Sequence, residues 1–361
     1  RLIENAKESI CLQTFIFNDD ETGWATAKML AAAADRGVKV RVIYDAVGSN
    51  RAEDTVFEFM KQHRVEVRPY GDPLTHLFSL NSRWHEKHLI VDGQTSIEGG
   101  MNIADEYAFG GSGRLALMRP KESQNPWRDT DMEITGPTVA DTQNDFFKNW
   151  ATLGAPVPRA EAQRLLQKAN SAQTPGGPSV RLVQHRPDQD HDAHVEKLYL
   201  DAINSATTSI TIENAYFNPP EPLRDALEAA ARRGVDVRVM TNSEATNDTH
   251  AVSEAAHYYY PELLASGIKI FERQTSTLHA KTATFDGKFS IVGSANLNGR
   301  SDGLDSEAVL ATDDPATAKA LEGRFAQGVP ETKPFTADDF KNESFWTHVK
   351  EWGLHLLSWT F

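Results

Sequence analysis

Apolar and polar side chains alternate in short stretches of this chain, and stretches of helical character lie between them. Residues 38–44 place valine at every second position and end in isoleucine and tyrosine, which is the two-residue period of a strand. Residues 25–34 are rich in alanine and predict a helix, which Gly37 ends. A strand, a helix and another strand in this order predict parallel strands with helices covering the sheet.

The same pattern occurs twice. Residues 34–42 resemble residues 231–239, and the apolar stretch that begins at Ile3 resembles the one that begins at Ile203. The spacing between equivalent residues falls from 200 to 194 along the chain, which indicates small loop insertions and deletions. Such a repeat indicates two copies of one folding unit. We therefore predict an α/β fold of two halves related by a pseudo-two-fold axis, each with a mixed, mostly parallel sheet flanked by helices.

The repeat divides the chain into four parts. The predicted parts are a first half (1–153), a linker (154–180), a second half (181–328) and a C-terminal extension (329–361). Proline, glycine and serine are frequent in the linker, a composition typical of disorder. The extension has apolar residues at helical spacing and predicts an amphipathic, tryptophan-rich helix. Two interpretations of this helix remain open, because it can lie in a membrane interface or pack on the protein.

Composition and charge narrow the function. The 361 residues are 40% hydrophobic, enough for two cores, and contain no apolar run long enough to span a membrane. The net charge of −14 argues against nucleic acid as the partner, although a local basic groove can exist on an acidic protein. The single cysteine, Cys11, excludes an internal disulfide. Because Arg1 falls within a predicted element, we expect that a preceding segment, such as a signal peptide or anchor, has been removed.

One pattern of histidine, lysine and aspartate recurs in both halves. The copies are His85, Lys87 and Asp92 in the first half and His279, Lys281 and Asp286 in the second, followed by Asn102 and Asn296 at equivalent positions. Residues two apart share a face of a strand, so the histidine and lysine point together whereas the aspartate does not. Because aspartate followed by glycine favours hairpin turns, we assign both aspartates a structural role in the turn or in bracing a neighbouring strand.

The paired motifs predict a pocket that suits a phosphodiester. If the halves meet across the pseudo-two-fold axis, two imidazoles, two ammonium groups and two amides converge. Lysine and asparagine donors can hold the phosphate oxygens while charge develops on them. One neutral histidine can then attack phosphorus while a protonated histidine donates to the leaving oxygen. The two histidines can take different roles only if their surroundings differ.

These motifs, the glycine-rich turns that follow them and the two-half repeat resemble the phospholipase D superfamily over residues 1–320. The resemblance implies catalysis through a covalent phosphohistidine, with no metal or other cofactor. It implies that His85 is the nucleophile and His279 the general acid and then the general base. The groups implied to bind phosphate are Lys87, Lys281, Asn102 and Asn296.

The superfamily also implies an acidic residue downstream of each motif that orients a histidine, in the manner of a catalytic triad. Asp131 and Glu307 are the candidates, and Asp129 is an alternative to Asp131. Tyr216 and Phe217 resemble a segment near the site, with core packing as their default role.

Four segments are similar to bacterial cardiolipin synthases of the phospholipase D type. They are residues 19–23, 35–40, 99–107 and 129–131. The similarity implies a membrane-associated phosphatidyltransferase that acts on phosphatidylglycerol or a related phospholipid. It would be held at the membrane peripherally or by a removed anchor. The similarity does not assign the side of the membrane. Hydrolysis to phosphatidic acid and a nuclease or phosphodiesterase of the same superfamily remain alternatives. Complete motifs disfavour a catalytically silent scaffold, and two motifs in one chain allow a monomer to complete the site.

Three loops have open interpretations. Residues 46–82 and 108–126 form either rims over the pocket or solvated loops. The stretch 190–194 contains two histidines and two aspartates, but its polar surroundings favour a solvated loop over a metal site.

Overall fold

The computed structural model describes residues 1–49, 54–71, 82–109, 125–171, 177–187, 193–341, 351 and 353. The predicted C-terminal amphipathic helix lies almost entirely outside these ranges. The same holds for residues 50–53 and 72–81 of the first predicted rim, for residues 110–124 of the second and for residues 190–192. The rest of the first predicted rim is not a loop, because Asp54–Gln62 form a helix and Glu66–Tyr70 form a strand. Among the residues that the structure describes, no helix is long and apolar enough to cross a membrane.

The first half forms a six-stranded sheet with helices around it. Its helices are α1 (Leu2–Asn5), α2 (Glu21–Asp35), α3 (Asp54–Gln62), α4 (Asp105–Ala108) and α5 (Thr138–Thr152). Its strands are β1 (Ser9–Thr14), β2 (Lys39–Asp45), β3 (Glu66–Tyr70), β4 (His88–Val91), β5 (Thr95–Gly99) and β6 (Asp131–Thr135), in the order β3-β2-β1-β4-β5-β6. Strands β1, β2 and β3 are parallel, whereas β4, β5 and β6 extend the sheet by antiparallel pairing.

Helix α6 (Arg159–Ser171) precedes the second half. The strands that follow are β7 (Val180–His185), β8 (Ser209–Asn214), β9 (Asp236–Asn242), β10 (Lys269–Arg273), β11 (Lys281–Phe285), β12 (Phe289–Gly293), β13 (Glu307–Thr312) and β14 (Thr332–Phe335). The helices are α7 (His194–Ser205), α8 (Glu221–Arg232), α9 (His250–His257), α10 (Tyr260–Ala265), α11 (Gly299–Gly303), α12 (Pro315–Gly328) and α13 (Ala337–Lys341). The eight-stranded sheet has the order β14-β10-β9-β8-β11-β12-β13-β7.

The prediction of two α/β halves with mixed sheets is confirmed, but "mostly parallel" is wrong. Only the pairs β1/β2, β2/β3, β8/β9 and β9/β10 are parallel among the described strands. The motif strands β4 and β11 pair antiparallel with β1 and β8, and each continues into a hairpin. Asp92 and Asp286, both at φ 55°, start these hairpin turns, so the motif region contributes antiparallel strands.

Local sequence explains how the repeated helix α2 is bounded. Asp20 caps its first turn by accepting a hydrogen bond from the Gly23 amide at 2.8 Å. Gly37 follows the end of α2 with φ at 96°, a backbone conformation that residues other than glycine rarely adopt. The buried face of α2 carries Ala27 and Leu30, which pack in the core of the first half.

The segment that we predicted as a linker contains a packed helix. Helix α6 lies against α5, and its side chains Leu165 and Ala169 are fully buried. Glu161 of this helix pairs with the buried Arg41 guanidinium at 2.7 Å. Proline and glycine are concentrated on either side of α6, which explains why composition alone suggested disorder.

Each half has its own apolar core, and a third core joins them. The joining core includes Ile90 of β4 and Trp150 of α5 from the first half together with Leu310 of β13 from the second. Because apolar packing continues across the junction, the two halves hold a defined relative position there.

Candidate active site

Backbone hydrogen bonds between the halves place each motif histidine. The His85 amide donates to the Ser306 carbonyl at 3.0 Å, and the His279 amide donates to the Arg128 carbonyl at 2.7 Å. The two contacts are equivalent under the pseudo-two-fold axis. Each histidine is therefore anchored to the opposite half rather than to its own.

The residue after each carbonyl acceptor is a carboxylate that faces the histidine. His85 Nδ1 lies 3.0 and 3.1 Å from the two Glu307 oxygens, and His279 Nδ1 lies 2.8 Å from Asp129 Oδ2. All four side chains are buried. We assign the proton to Nδ1, where it donates to the carboxylate, so that Nε2 of each imidazole keeps its lone pair for chemistry.

Asp131 does not hold the position that we expected. Its carboxylate accepts a hydrogen bond from the Met101 amide at 3.1 Å, whereas Asp129 contacts His279. Burial and the neighbouring Asp129 charge raise the pKa of Asp131 to about 6. The alternative, Asp129, is therefore the carboxylate beside the second histidine.

Strand register gives the physical reason for this correction. Gly99 pairs with Asp131 across β5 and β6, and the equivalent Gly293 pairs with Val309 across β12 and β13. Asp131 thus corresponds to Val309, and the residue two positions earlier corresponds to Glu307. Treating Asp131 as the counterpart of Glu307 therefore places the two segments two residues out of register.

The motif lysines lie beside the histidines. Lys87 Nζ donates to the His85 carbonyl at 2.5 Å, and Lys281 Nζ donates to the His279 carbonyl at 2.5 Å. Lys281 Nζ also lies 3.1 Å from His279 Nδ1. Burial lowers the pKa of Lys87 to about 7 and that of Lys281 to about 8. An anion in the pocket would stabilise the protonated form of both lysines.

The surroundings of both motif histidines favour the neutral imidazole. Burial and the two lysines lower the pKa of His85 and of His279 well below its usual value. Burial raises the pKa of Glu307 and that of Asp129 to about 7, although the lysines act in the opposite direction. A bound phosphate anion would favour protonation of a histidine, because its negative charge stabilises the imidazolium.

The two predicted asparagines differ in their contacts. Asn102 accepts a hydrogen bond from the Ile16 amide at 3.0 Å and donates to the Tyr107 hydroxyl at 2.7 Å, so its amide braces the pocket wall. Asn296 also lines the pocket, and its buried Oδ1 has no hydrogen-bond partner among the described residues. The free Oδ1 can accept a hydrogen bond from a hydroxyl of a ligand, whereas contact with a phosphate oxygen requires the Asn296 Nδ2 to donate.

A cavity of about 350 Å³ is lined by both histidines, by the aromatic rings of Phe15, Tyr107, Trp127 and Tyr216, and by several polar side chains. Tyr107 and Trp127 were not among the predicted site residues, yet the Tyr107 hydroxyl lies 3.4 Å from His279 Nδ1 and the Trp127 ring centre lies 5.4 Å from the imidazole. Tyr216 lines the cavity and donates to Asp248 at 2.7 Å, so core packing is not its sole role, whereas Phe217 is buried in the core. Such a wall suits the apolar part of an amphipathic substrate.

Asp92 and Asp286 act at the far ends of the motif strands. Asp92 accepts from the Glu8 and Ser9 amides at 2.7 and 2.9 Å. Asp286 likewise accepts from the Thr208 and Ser209 amides at 2.8 and 3.0 Å, and these hydrogen bonds lower its pKa despite partial burial. The carboxylates connect the hairpin turns to the starts of β1 and β8.

Known proteins resemble this chain along its length. A family profile described as "Cardiolipin synthase, PLD-like domain" matches residues 1–109 and 199–328. A cardiolipin synthase from Listeria monocytogenes is 32% identical over 362 residues, which cover 99% of this chain and 71% of that protein. A probable cardiolipin synthase from Bacillus subtilis is 31% identical, with 97% and 67% covered. The structure of a phosphatidylserine synthase from Haemophilus influenzae has the same fold, with a TM-score of 0.70, 17% identity, and 100% of this chain and 92% of that one covered.

Proposed function

Because the chain belongs to the phospholipase D superfamily, in the family of the cardiolipin synthase phospholipase D-like domain, we propose that it is a cardiolipin synthase. In this proposal it transfers a phosphatidyl group through a covalent phosphohistidine to the hydroxyl of a second phospholipid. One observation carries the mechanism. Each motif histidine is oriented by a carboxylate of the opposite half, which leaves both Nε2 atoms for the reaction.

In the first step, His85 Nε2 attacks phosphorus. The bond from phosphorus to the head-group oxygen breaks, and His279 donates its Nε2 proton to that oxygen. Lys87, Lys281 and the Asn296 amide hold the non-bridging oxygens as charge develops on them. Asp129 stabilises the His279 imidazolium, because its carboxylate lies 2.8 Å from Nδ1.

In the second step, His279 Nε2 removes the proton of the acceptor hydroxyl. The acceptor oxygen attacks phosphorus, and the bond between phosphorus and His85 breaks. Phosphatidylglycerol as both donor and acceptor gives cardiolipin and glycerol, whereas water as acceptor gives phosphatidic acid. The mechanism uses residues of one chain only, so we propose that a monomer suffices.

The pKa directions alone do not distinguish the roles of the two histidines. Burial and the two motif lysines lower the pKa of both imidazoles well below the usual value of histidine. Among the smaller contributions, Arg300 lowers the pKa of His85 and the Asp248 carboxylate raises that of His279. The proposal that His85 is the nucleophile and His279 the acid therefore rests on the order of the motifs in the superfamily.

We also propose that the pocket opens toward a phospholipid surface. Met101 and Phe109 are 43% and 52% exposed, and they flank the segment that carries Asn102 and Tyr107 into the pocket. Large exposed apolar side chains beside a lipid-processing pocket favour peripheral membrane contact.

Mass spectrometry of products tests the proposed function. The chain is incubated with phosphatidylglycerol vesicles, alongside His85→Ala and the control His63→Ala, an exposed histidine that pairs with Asp35. We expect cardiolipin and glycerol from the wild type and from His63→Ala, and neither from His85→Ala. If phosphatidic acid were the sole phospholipid product, the chain would be a hydrolase and not a transferase. The absence of turnover on phospholipid, with cleavage of single-stranded DNA in parallel, would refute the lipid substrate.

Trapping the adduct tests the histidine roles separately. We expect that His279→Ala accumulates a phosphohistidine when the leaving group is good, since His85 still attacks but the second step lacks its base. An adduct in His85→Ala would reverse the assignment.

A further inference from the structure

A cluster of buried charged side chains lies behind the first motif. Glu86 stands between His85 and Lys87 in the sequence, but its carboxylate contacts Asn149 of α5 instead of the pocket. The other titratable members of the cluster are His88, Glu98, Asp145 and Arg186. Glu86, His88, Glu98 and Asp145 are each at most 2% exposed.

The second motif has no such cluster at the equivalent residues. Ala280 and Thr282 occupy the positions of Glu86 and His88. Ala280 packs with Leu278 in a small apolar core. Since the second half folds with an alanine and a threonine at these positions, the fold and the shared motif chemistry do not require the charged residues.

Three atoms of the cluster have the mutual spacing of metal ligands. His88 Nε2 lies 3.5 Å from Glu86 Oε2 and 3.3 Å from Asp145 Oδ2. The three side chains can each offer one ligand atom, and these atoms lie within 4.8 Å of one another. Ligands bound tetrahedrally to zinc at about 2.0 Å are about 3.3 Å apart, so the two distances from His88 Nε2 fit such an ion.

The same side chains carry buried atoms without hydrogen-bond partners. Among the described residues, His88 Nε2 and Asp145 Oδ2 lie 3.3 Å apart but make no hydrogen bond of acceptable geometry. Glu86 Oε1 also makes no hydrogen bond, although it lies 3.5 Å from Arg186 Nε. Buried polar atoms of this kind are rare because water is not present to satisfy them. His88 Nε2 faces both carboxylates, so one shared cation would satisfy the imidazole and the acids together.

Surrounding hydrogen bonds already orient the three ligands. His88 Nδ1 bonds to Glu98, and Ser96 donates to the other oxygen of that carboxylate. Gln13 and Asn149 each donate to Glu86 Oε2 at 3.0 Å. A carboxylate on the far nitrogen of a ligating histidine, with hydrogen bonds to the ligating acids, is the usual support of a metal site.

Charge also permits a divalent ion. Arg186 contacts Asp145 through Oδ1, which leaves Oδ2 available on the side of His88. One divalent cation and the Arg186 guanidinium would offset the three carboxylates while His88 stays neutral. A proton on His88 would compete with the metal ion. Although burial lowers the pKa of His88, Glu98, Asp145 and Glu86 together raise it well above its usual value.

We propose that Glu86, His88 and Asp145 bind a structural Zn²⁺ ion, with water as the fourth ligand. The ion would tie the start of β4 to α5 and thereby fix the backbone of the first motif from the side opposite the pocket. It takes no part in phosphoryl transfer.

Metal analysis of the full chain tests this site. Cells are grown with added zinc, the protein is purified without a metal-affinity step, and metals are measured by inductively coupled plasma mass spectrometry. We expect about one zinc per chain in the wild type and background zinc in His88→Thr, which introduces the residue of the second half. The control His257→Asn removes another buried histidine that contacts a glutamate, Glu272 at 2.7 Å, and should retain the metal.

A second measurement does not depend on the folding of a variant. A strong chelator should lower the melting temperature of the wild-type chain, and added Zn²⁺ should restore it. Cobalt substitution should give the visible absorption bands of a tetrahedral site. A folded wild-type chain with no zinc, manganese, iron or cobalt above background and no response to chelator would overturn the proposal, as would one zinc per chain in folded His88→Thr. In that case His88 is protonated, and its positive charge takes the place of the metal ion among the carboxylates.

Discussion

Replacing Asp129 with asparagine tests the geometry of the second histidine most directly. The substitution preserves the size of the side chain but removes a buried negative charge that lies 2.8 Å from His279 Nδ1. In the proposed first step His279 carries a proton, and its imidazolium loses this stabilising partner in Asp129→Asn. The leaving oxygen then receives its proton less readily.

The size of the effect follows from the separation of the two charges. Unit charges about 4 Å apart interact by about 4 kcal/mol at an effective dielectric constant of about 20. If most of this energy is lost, formation of the phosphohistidine slows by roughly 10² to 10³-fold, since each 1.4 kcal/mol or so is a factor of ten in rate. The free energy of unfolding should change little in comparison, because the asparagine carbonyl can still accept a hydrogen bond from His279 Nδ1.

Asp131→Asn is the matched control. Its carboxylate accepts a backbone hydrogen bond from Met101, and an asparagine carbonyl can accept the same bond. We expect kcat within about threefold of wild type, because no interaction with a histidine is removed. The assay compares single-turnover adduct formation and steady-state cardiolipin synthesis for both variants. Equal losses in the two variants, or full activity in Asp129→Asn, would refute the assignment of Asp129.

Three further predictions use other residues of the site and its supports. Glu307→Gln should lower kcat by at least about 10²-fold through loss of the carboxylate that orients His85, and normal kcat would contradict it. Because burial lowers the pKa of Lys87 to about 7 and that of Lys281 to about 8, kcat/KM should fall as pH rises above about 8. It should also fall as pH drops below about 7, because burial raises the pKa of Asp129 and Glu307 to about 7 and both act as carboxylates. A flat profile would be inconsistent with phosphate binding by protonated lysines. Asp286→Asn should lower the free energy of unfolding at neutral pH by about 1 to 2 kcal/mol, since asparagine tolerates the positive φ but carries no charge. The Asp286 contribution depends on a lowered pKa, so it is present above the unfolded-state value of about 4 and is lost as pH falls through the folded-state value, as denaturant titration at several pH values can show.

The two α/β halves could be predicted from the sequence repeat because the repeat contains both a strand pattern and a helix pattern. The strand period of residues 38–44 and the helix before it mark the parallel unit, and β2 and α2 occur there. The antiparallel part was less visible. Asp92 and Gly93 indicated a hairpin, but the pairing of β4 against β1 depends on contacts between segments far apart in sequence.

The histidines and lysines could be located from sequence because their spacing recurs in both halves. Asp129 could not be chosen from spacing alone, since two acidic residues are separated by one position and a strand shift of two residues keeps the same face. The register that distinguishes Asp129 from Asp131, with Gly99 opposite Asp131 and Gly293 opposite Val309, is given only by the paired strands. Nothing local marks Trp127 as a pocket residue, because only the approach of the second half brings His279 beside it.

The non-repeated neighbours explain how a repeated motif can assign two roles. Gly100 and Ser294 are equivalent, but a Cβ at Gly100 would overlap the Asp129 carboxylate, whereas the Ser294 hydroxyl donates to Glu307. The Ser301 hydroxyl donates to Glu307 as well, at 2.6 Å. These donors favour the ionised form of Glu307, so that it accepts the His85 Nδ1 proton without taking it and leaves Nε2 nucleophilic. Asp129 has no equivalent hydroxyl donors among the described contacts. It accepts a hydrogen bond from the Thr130 amide through Oδ1 at 2.7 Å, while Oδ2 faces His279, the histidine that must carry a proton.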